Sequence, residues 1–369
     1  MPEAAPNATH ATLHAARRDA LRAQLAELAA DAALITRLVN VRYLTGFTGS
    51  NGALLLGADG DDLLATDGRY LIQAARQAPD LPVHEGRAVG AELAGKAAER
   101  GTGTLAYESH DVTVDGLVAL QAAAEKVTLI KLGHRVEQLR EVKDDVELEL
   151  LREACAIGDR ALADLIAAGG LRSGRTEKEI ARDLEWRMFD HGADALSFAT
   201  IVASGPNSAI PHHSPTDRVV GGGEFVKLDF GAAYRGYHSD MTRTVMVGQP
   251  ADWQAELYAF VAEAQRVGLD ATRPGVESRH VDRIVRDWIQ ENGHGELQHG
   301  LGHGVGLEVH ELPGLGKTGT STLAQRMAVT VEPGVYLEGR GGVRIEDTLV
   351  VRDGEPDILT LTTKDLLVL

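Results

Sequence analysis

Residues 227–244 read KLDFGAAYRGYHSDMTRT, two strand-like runs joined by a glycine-bearing turn. Asp229 and Asp240 stand eleven positions apart in this stretch. Across a hairpin ladder, that spacing can aim both carboxylates into one cavity. The plainer reading is that Asp229 merely precedes a turn, since Asp-x-Gly is a common turn sequence. Three later segments carry the same kinds of side chain. HGLGHGVGLEVHE (299–311) holds His299, His303 and His310; TVEPGVY (330–336) holds Glu332; GVRIEDT (342–348) holds Glu346.

The glycines around His303 allow close backbone approach. His303 and His310 are too far apart for a helical HExxH zinc pair, and GHGVG lacks the Lys-Ser/Thr of a phosphate-binding loop. Glu332 and Glu346 stand at strand ends among Val, Ile and Tyr. An arbitrary Glu is a surface residue, but a buried one must be paired or bind a metal. Two Asp, two Glu and one His from separate segments match the donors of two divalent ions sharing carboxylate bridges, an arrangement that performs hydrolysis.

The chain has 369 residues, 44% hydrophobic and 25% charged, which fits two soluble domains. Its net charge of −17 argues against nucleic acid or an anionic membrane as partner. A single cysteine, Cys155, excludes an internal disulfide framework and a thiolate metal site. With no signal-like or membrane-spanning apolar run, a cytoplasmic location is expected.

Residues 1–10 read as a frayed tail, and a helix is expected over 14–30 with Leu21, Leu25 and Leu28 on one face. Beyond it, AALITR, YLTGFTGSNGALLLG (strand, turn, strand), DDLLATDGRYLIQAARQ, PVHEGRAV, TLAYES and KVTLIKL describe a small α/β domain over 1–136. From 137 to 369 the pattern is α+β, strands joined in an antiparallel sheet with helices on one side. It opens with one long helix through REVKDDVELELLREACAIGDRALADLIAA. A second helix follows, with Thr176 as N-cap and Glu179 completing a capping box.

Taken in order, LDFG, SDMTRT, GHGVGLEVHE, VEPGVY and RIEDT resemble the metallopeptidase family with the pita-bread fold, that of methionine aminopeptidase, aminopeptidase P and prolidase. The resemblance runs from Leu139 to the C-terminus. YLTGFTGSNGALLL and TDGRY resemble the N-terminal domain of its proline-specific members, which methionine aminopeptidases lack. It implies a curved antiparallel sheet with helices on its outer face, and two divalent ions, Mn²⁺ foremost, with Co²⁺ or Zn²⁺ as alternatives.

By this resemblance Asp229 would bind one ion with both oxygens, Asp240 and Glu346 would bridge, and His303 and Glu332 would complete the other site. Glu332 would also move the proton of the attacking water. His212 in IPHHSP would contact substrate, with His213 as its rival. His310 would hydrogen-bond the substrate or the oxyanion. His299 matches another active-site histidine, and Arg344 would steady Asp240. The implied activity is that of an Xaa-Pro dipeptidase on small peptides with proline second, in a homodimer.

One departure stands out. Familiar prolidases carry an Arg just after the His-Glu pair, whereas this chain has HELPGLGKTG, with Gly314 and Lys317. Lys317, or Arg42 or Arg69 from this or a partner subunit's N-terminal domain, are alternative readers of a substrate carboxylate. An aminopeptidase P acting on longer peptides is the second reading. A metal-free creatinase-like enzyme or a binding module ranks third.

Overall fold

The computed structural model describes residues 8–369, in two compact units, Met1–Arg140 and Glu141–Leu369. The expected N-terminal tail lies outside the described residues for positions 1–7, and residues 8–10 already belong to helix α1 (Ala8–Leu25).

In the first unit, strands β1 (Ala32–Ile35), β2 (Gly52–Gly57), β3 (Leu63–Thr66), β4 (Val83–Glu85), β5 (Thr104–Tyr107) and β6 (Thr128–Lys131) form one mixed sheet in the order β4-β3-β2-β1-β5-β6. Every residue of β1, β2 and β3 is buried, so these strands read as unbroken apolar runs without alternation. Tyr43 and Leu44, expected in a strand, instead lie in helix α2 (Leu38–Thr45). Val41 and Leu44 share its buried face three residues apart, and Gly46, at φ 79°, closes it with a left-handed cap. Helices α3 (Leu71–Gln77), α4 (Val89–Glu99) and α5 (Val114–Ala123) complete the unit. No helix is expected from the sequence at α4 or α5.

The long helix expected from residue 140 is broken. Helix α6 (Arg135–Glu141) ends, Val142 bridges to Met327, and α7 (Asp145–Ala167) begins afresh. Asp144 caps α7, its side chain accepting from Glu147 N at 2.9 Å while Glu147 accepts from Asp144 N at 3.0 Å. This Asp-x-x-Glu box is the local start signal that the charged periodicity hid. The capping box expected at Thr176 and Glu179 opens α8 (Glu177–Asp190).

The second unit is α+β, with all its described ladders antiparallel. Strands β7 (Ala195–Leu196), β8 (Ile201–Ser204), β9 (Glu224–Phe230), β10 (Ala232–Tyr234), β11 (Tyr237–His238) and β12 (Met241–Val247) make two three-stranded sheets, β12-β9-β8 and β11-β10-β7. After helices α9 (Asp252–Ala271) and α10 (Ser278–Glu291) come β13 (Gly302–Gly304), β14 (Glu311–Leu315), β15 (Ala328–Val331), β16 (Gly334–Leu337), β17 (Gly341–Arg344), β18 (Asp347–Val350) and β19 (Asp357–Ile358). They build the sheet β14-β13-β15-β18-β19 and the pair β16-β17.

Two helix pairs cover this strand system through separate apolar cores. Ile157, Ala161 and Leu165 of α7 and Ile180, Leu184 and Met188 of α8 pack on Val226, Leu228 and Phe230 of β9. Leu257 and Val261 of α9 and Val281, Val285 and Ile289 of α10 pack with Val329, Val331 and Leu349. Strand alternation then turns Lys227 and Asp229 of β9 away from the α7/α8 core. The connection between β9 and β12 is longer than a simple turn, because it contains the β10-β11 hairpin. Asp229 therefore pairs with Thr242, and Asp240 sits just before β12.

Glu177, the first residue of α8, is fully buried. It accepts from Ser204 N and Oγ, Asn207 Nδ2, His213 Nε2, and Thr216 N and Oγ1, at 2.7–3.0 Å. Burial pushes its carboxyl up, but donors led by Thr216 and His213 outweigh this and bring it from 4.5 to about 2. A depressed folded pKa contributes stability above the unfolded value that is lost as pH falls through the folded one. Acid denaturation followed by circular dichroism should therefore show stability dropping from pH 4.5 towards about 2, and Glu177→Gln should flatten that drop.

Candidate metal centre

Five segments deliver ligand-type side chains to one place. Asp229 leaves β9 near its end, Asp240 precedes β12, His303 is central in β13, Glu332 follows β15, and Glu346 stands between β17 and β18. Glycine makes the β13 approach possible. A Cβ on Gly302 would lie 2.0 Å from Thr330 O, and one on Gly304 2.2 Å from Leu312 O. Ligand atoms of Asp229, Asp240 and Glu346 lie within 4.8 Å of one another, as do those of His303, Glu332 and Glu346. Asp240, His303 and His310 form a third such group, so His310 also presents a nitrogen to the cluster.

The electrostatics are unbalanced. Asp229, Asp240 and Glu346 are 2–6% exposed, and Glu332 is mostly buried. Burial, then repulsion from Glu346, hold the Asp240 and Glu332 carboxyls well above their ordinary range; burial and Asp229 bring Glu346 to about 8. The cation touching the group is Arg344. It donates through Nη2 to Asp229, through Nε to Thr242 Oγ1 at 2.9 Å, and through Nη1 to Pro211 O and Tyr336 OH. Arg344 thus steadies Asp229 rather than Asp240. Its place at the end of β17 aims it at β9, and only its longer-range field reaches Asp240.

The imidazole of His303 shows what the cluster is suited to hold. Its Nδ1–H donates to Gly304 O at 3.1 Å, leaving the Nε2 lone pair to face Asp240 Oδ2 at 3.5 Å and Glu332 Oε1 at 3.6 Å. Burial holds His303 at about 4, so near neutral pH it carries no second proton to donate. An acceptor lone pair aimed at two carboxylate oxygens is satisfied by cations between them. This oxygen-rich set with one imidazole fits divalent metal ions.

The other expected residues rim this group. His299 Nδ1–H donates to Gly300 O at 2.8 Å, and Nε2 accepts from Tyr336 OH at 2.9 Å. His310 stacks edge-on to His303 with centroids 4.3 Å apart, and it is exposed. His212 is exposed too, whereas its rival His213 is buried against Glu177. Lys317 lines a surface cavity with Arg279, His280, Arg283 and Arg286 that includes none of these residues. Arg69 is taken up by Asp67 at 2.8 Å.

Three supports escaped the sequence reading. Lys227, fully buried, donates to Ile210 O at 2.7 Å, Pro211 O at 3.1 Å and Ser208 O at 3.3 Å. It thereby pins the segment that leads into His212. Its signal was position, two residues before Asp229 and hence on the same strand face. Tyr336 links His299 to Arg344, and the buried Arg243–Asp347 pair, at 2.7 Å, anchors the residue after Glu346.

Comparison with known proteins gives the family of both parts of the chain. Residues 149–353 match the model of metallopeptidase family M24, and residues 17–142 match the creatinase/prolidase N-terminal domain. The chain is 38% identical to the uncharacterized peptidase YqhT of Bacillus subtilis, over 95% of this chain and 99% of that one. It is similar to the structure of an Xaa-Pro dipeptidase from Bacillus anthracis, with TM-score 0.92 and 38% identity over 96% of this chain and all of that one. An X-Pro aminopeptidase from Thermotoga maritima gives TM-score 0.87 and 36% identity, over 95% and 99% of the two chains.

Lys227→Met should take the donor from the Ser208 and Ile210 carbonyls, leave Pro211 O to Arg344 alone, and cost about 2 kcal/mol in a denaturant titration, with metal uptake retained. Unchanged stability would show that Lys227 does not hold this segment.

Proposed function

Because the chain belongs to metallopeptidase family M24, we propose that it hydrolyses the bond preceding proline, as an Xaa-Pro dipeptidase. The observation that carries this reading is the His303 Nε2 lone pair facing Asp240 and Glu332 inside a buried carboxylate cluster. In this reading Asp229, Asp240, His303, Glu332 and Glu346 hold two divalent ions, Mn²⁺ foremost. Such ions supply Lewis-acid polarisation of a carbonyl and make a water acidic near neutral pH.

The chain's own groups do the rest. Glu332 accepts the proton of the attacking water and returns it to the proline nitrogen as the bond breaks. His310 and His212, both exposed at the rim, donate hydrogen bonds to the substrate and to the oxyanion that forms from its carbonyl. His299 is kept neutral, at about 4, chiefly by burial, and is oriented by Tyr336. Arg344 holds Asp229 in place, and Lys227 with Arg344 fixes the Pro211 carbonyl beside His212. A homodimer in the cytoplasm is part of the same proposal. No helix among the described residues is long and apolar enough to cross a membrane.

One observation favours a second reading, cleavage of longer Xaa-Pro peptides. Lys317, the cation that follows the His-Glu pair in HELPGLGKTG, lines a different cavity, and an X-Pro aminopeptidase is among the similar structures.

Asp240→Ala should abolish turnover and lower the metal content while leaving the circular dichroism spectrum intact; near-normal activity would contradict the metal assignment. With Mn²⁺ supplied, Ala-Pro, Leu-Pro and Met-Pro should be cleaved faster than Ala-Pro-Ala. The reverse order would establish the aminopeptidase reading, and no cleavage of either class would reject both.

A further inference from the structure

The first unit gathers a second group of ligand-type side chains, and topology explains why. Strands β1, β5 and β6 run parallel as neighbours, so their carboxyl ends open on one edge of the sheet. In such sheets ligand sites form where those ends meet. Thr36 and Arg37 follow β1, Glu108 and His110 follow β5, and His134 follows β6 just before α6, which carries Glu137.

Glu137 is 5% exposed. Its Oε1 accepts from Asn40 Nδ2 at 2.7 Å and Arg37 Nη1 at 2.9 Å, and faces His110 Nε2 at 2.9 Å. Its Oε2 is buried without a hydrogen-bond partner, 3.9 Å from His134 Nδ1. The two imidazole rings lie 4.2 Å apart, and one ligand atom from each of the three residues falls within a common 4.8 Å. Burial pushes the Glu137 carboxyl up, but Asn40, the residue's own backbone N–H, Arg37 and His110 outweigh it and hold the group below the usual carboxylate range. A buried carboxylate oxygen left without a hydrogen bond is costly, and an imidazole 3.9 Å away is too distant to satisfy it.

We propose that His110, His134 and Glu137 form a separate metal site, taking one zinc-class divalent ion with a water in the remaining position. Two imidazoles and one carboxylate are a zinc-type set, distinct from the carboxylate-rich group of the second unit. The supporting shell is built. Asn40 Nδ2 bridges Glu137 and Glu108, and its Oδ1 accepts from Arg140 Nη1 at 2.8 Å. The ion ties the segment after β5 to the start of α6.

The test uses the full chain, saturated with Mn²⁺, given one equivalent of Zn²⁺, desalted and assayed for both metals. One zinc should be retained beside an undiminished manganese content, with Tm raised by several degrees. The His134 side chain is 58% exposed and lies beyond hydrogen-bond range of Glu137, so His134→Ala removes a ligand without opening the core. His134→Ala and His110→Ala should each lose the zinc and the Tm shift while keeping manganese content and Mn²⁺-supported peptidase activity. No retained zinc, zinc gained only as manganese is lost, or zinc retained in both variants would overturn the site and leave His110 and Glu137 as an ordinary ion pair. Because the manganese content and the activity are read separately, failure here does not touch the peptidase reading.

Discussion

Buried negative charge is the constraint on which the second unit depends. Asp229, Asp240, Glu332 and Glu346 converge with the guanidinium of Arg344 against the Asp229 carboxylate, and His303 adds a lone pair rather than a proton. In a low-dielectric setting such a group survives by holding protons or by holding cations. The raised carboxyls describe the first state, and the oxygen-rich geometry accommodates the second. The proposed peptide hydrolysis would use the second, since cations that neutralise the acids would also acidify water.

The surrounding architecture keeps those acids from escaping to solvent. Helices α7 and α8 seal one face of β9, so alternation leaves Lys227 and Asp229 on the opposite side. Thr242, the ladder partner of Asp229, donates to Glu346 Oε2 at 2.8 Å, and Thr244 Oγ1 donates to Arg344 O at 3.0 Å, stitching β12 to β17 and its exit. Asp347 turns the other way into Arg243, Gln265, Thr360 and Lys364, which leaves Glu346 facing the centre. Glu177 performs the matching task for the rim. By holding His213 and Thr216 it determines which histidine of the His212–His213 pair is left exposed. These are buried polar networks with their acceptors filled, the condition under which such networks specify one arrangement.

The errors of the sequence reading have a common origin. Tyr43 and Leu44 have strand-like side chains, yet their helix is decided by burial of Val41 and Leu44 on one face and by the Gly46 cap. The helix from residue 140 looked continuous because charged periodicity persists through residues 142–144, while tertiary pairing with Met327 and Arg326 breaks it. Arg344 is expected at Asp240, but which acid it meets depends on how β17 lies against β9, and there it meets Asp229.

What this sequence determined by itself was chemical inventory and order. The donor types, the glycines beside His303, the capping box at Thr176 and the two-part α/β then α+β pattern are local properties of neighbouring residues. Only the tertiary structure decided that His303 meets Asp240 and Glu332, that Arg344 serves Asp229, that Lys227 pins the His212 segment, and that His110, His134 and Glu137 share one sheet edge. The reason is range. Caps, turns and alternation act within a few residues, whereas charge pairing and metal-type geometry join residues tens of positions apart, and only chain packing fixes those distances.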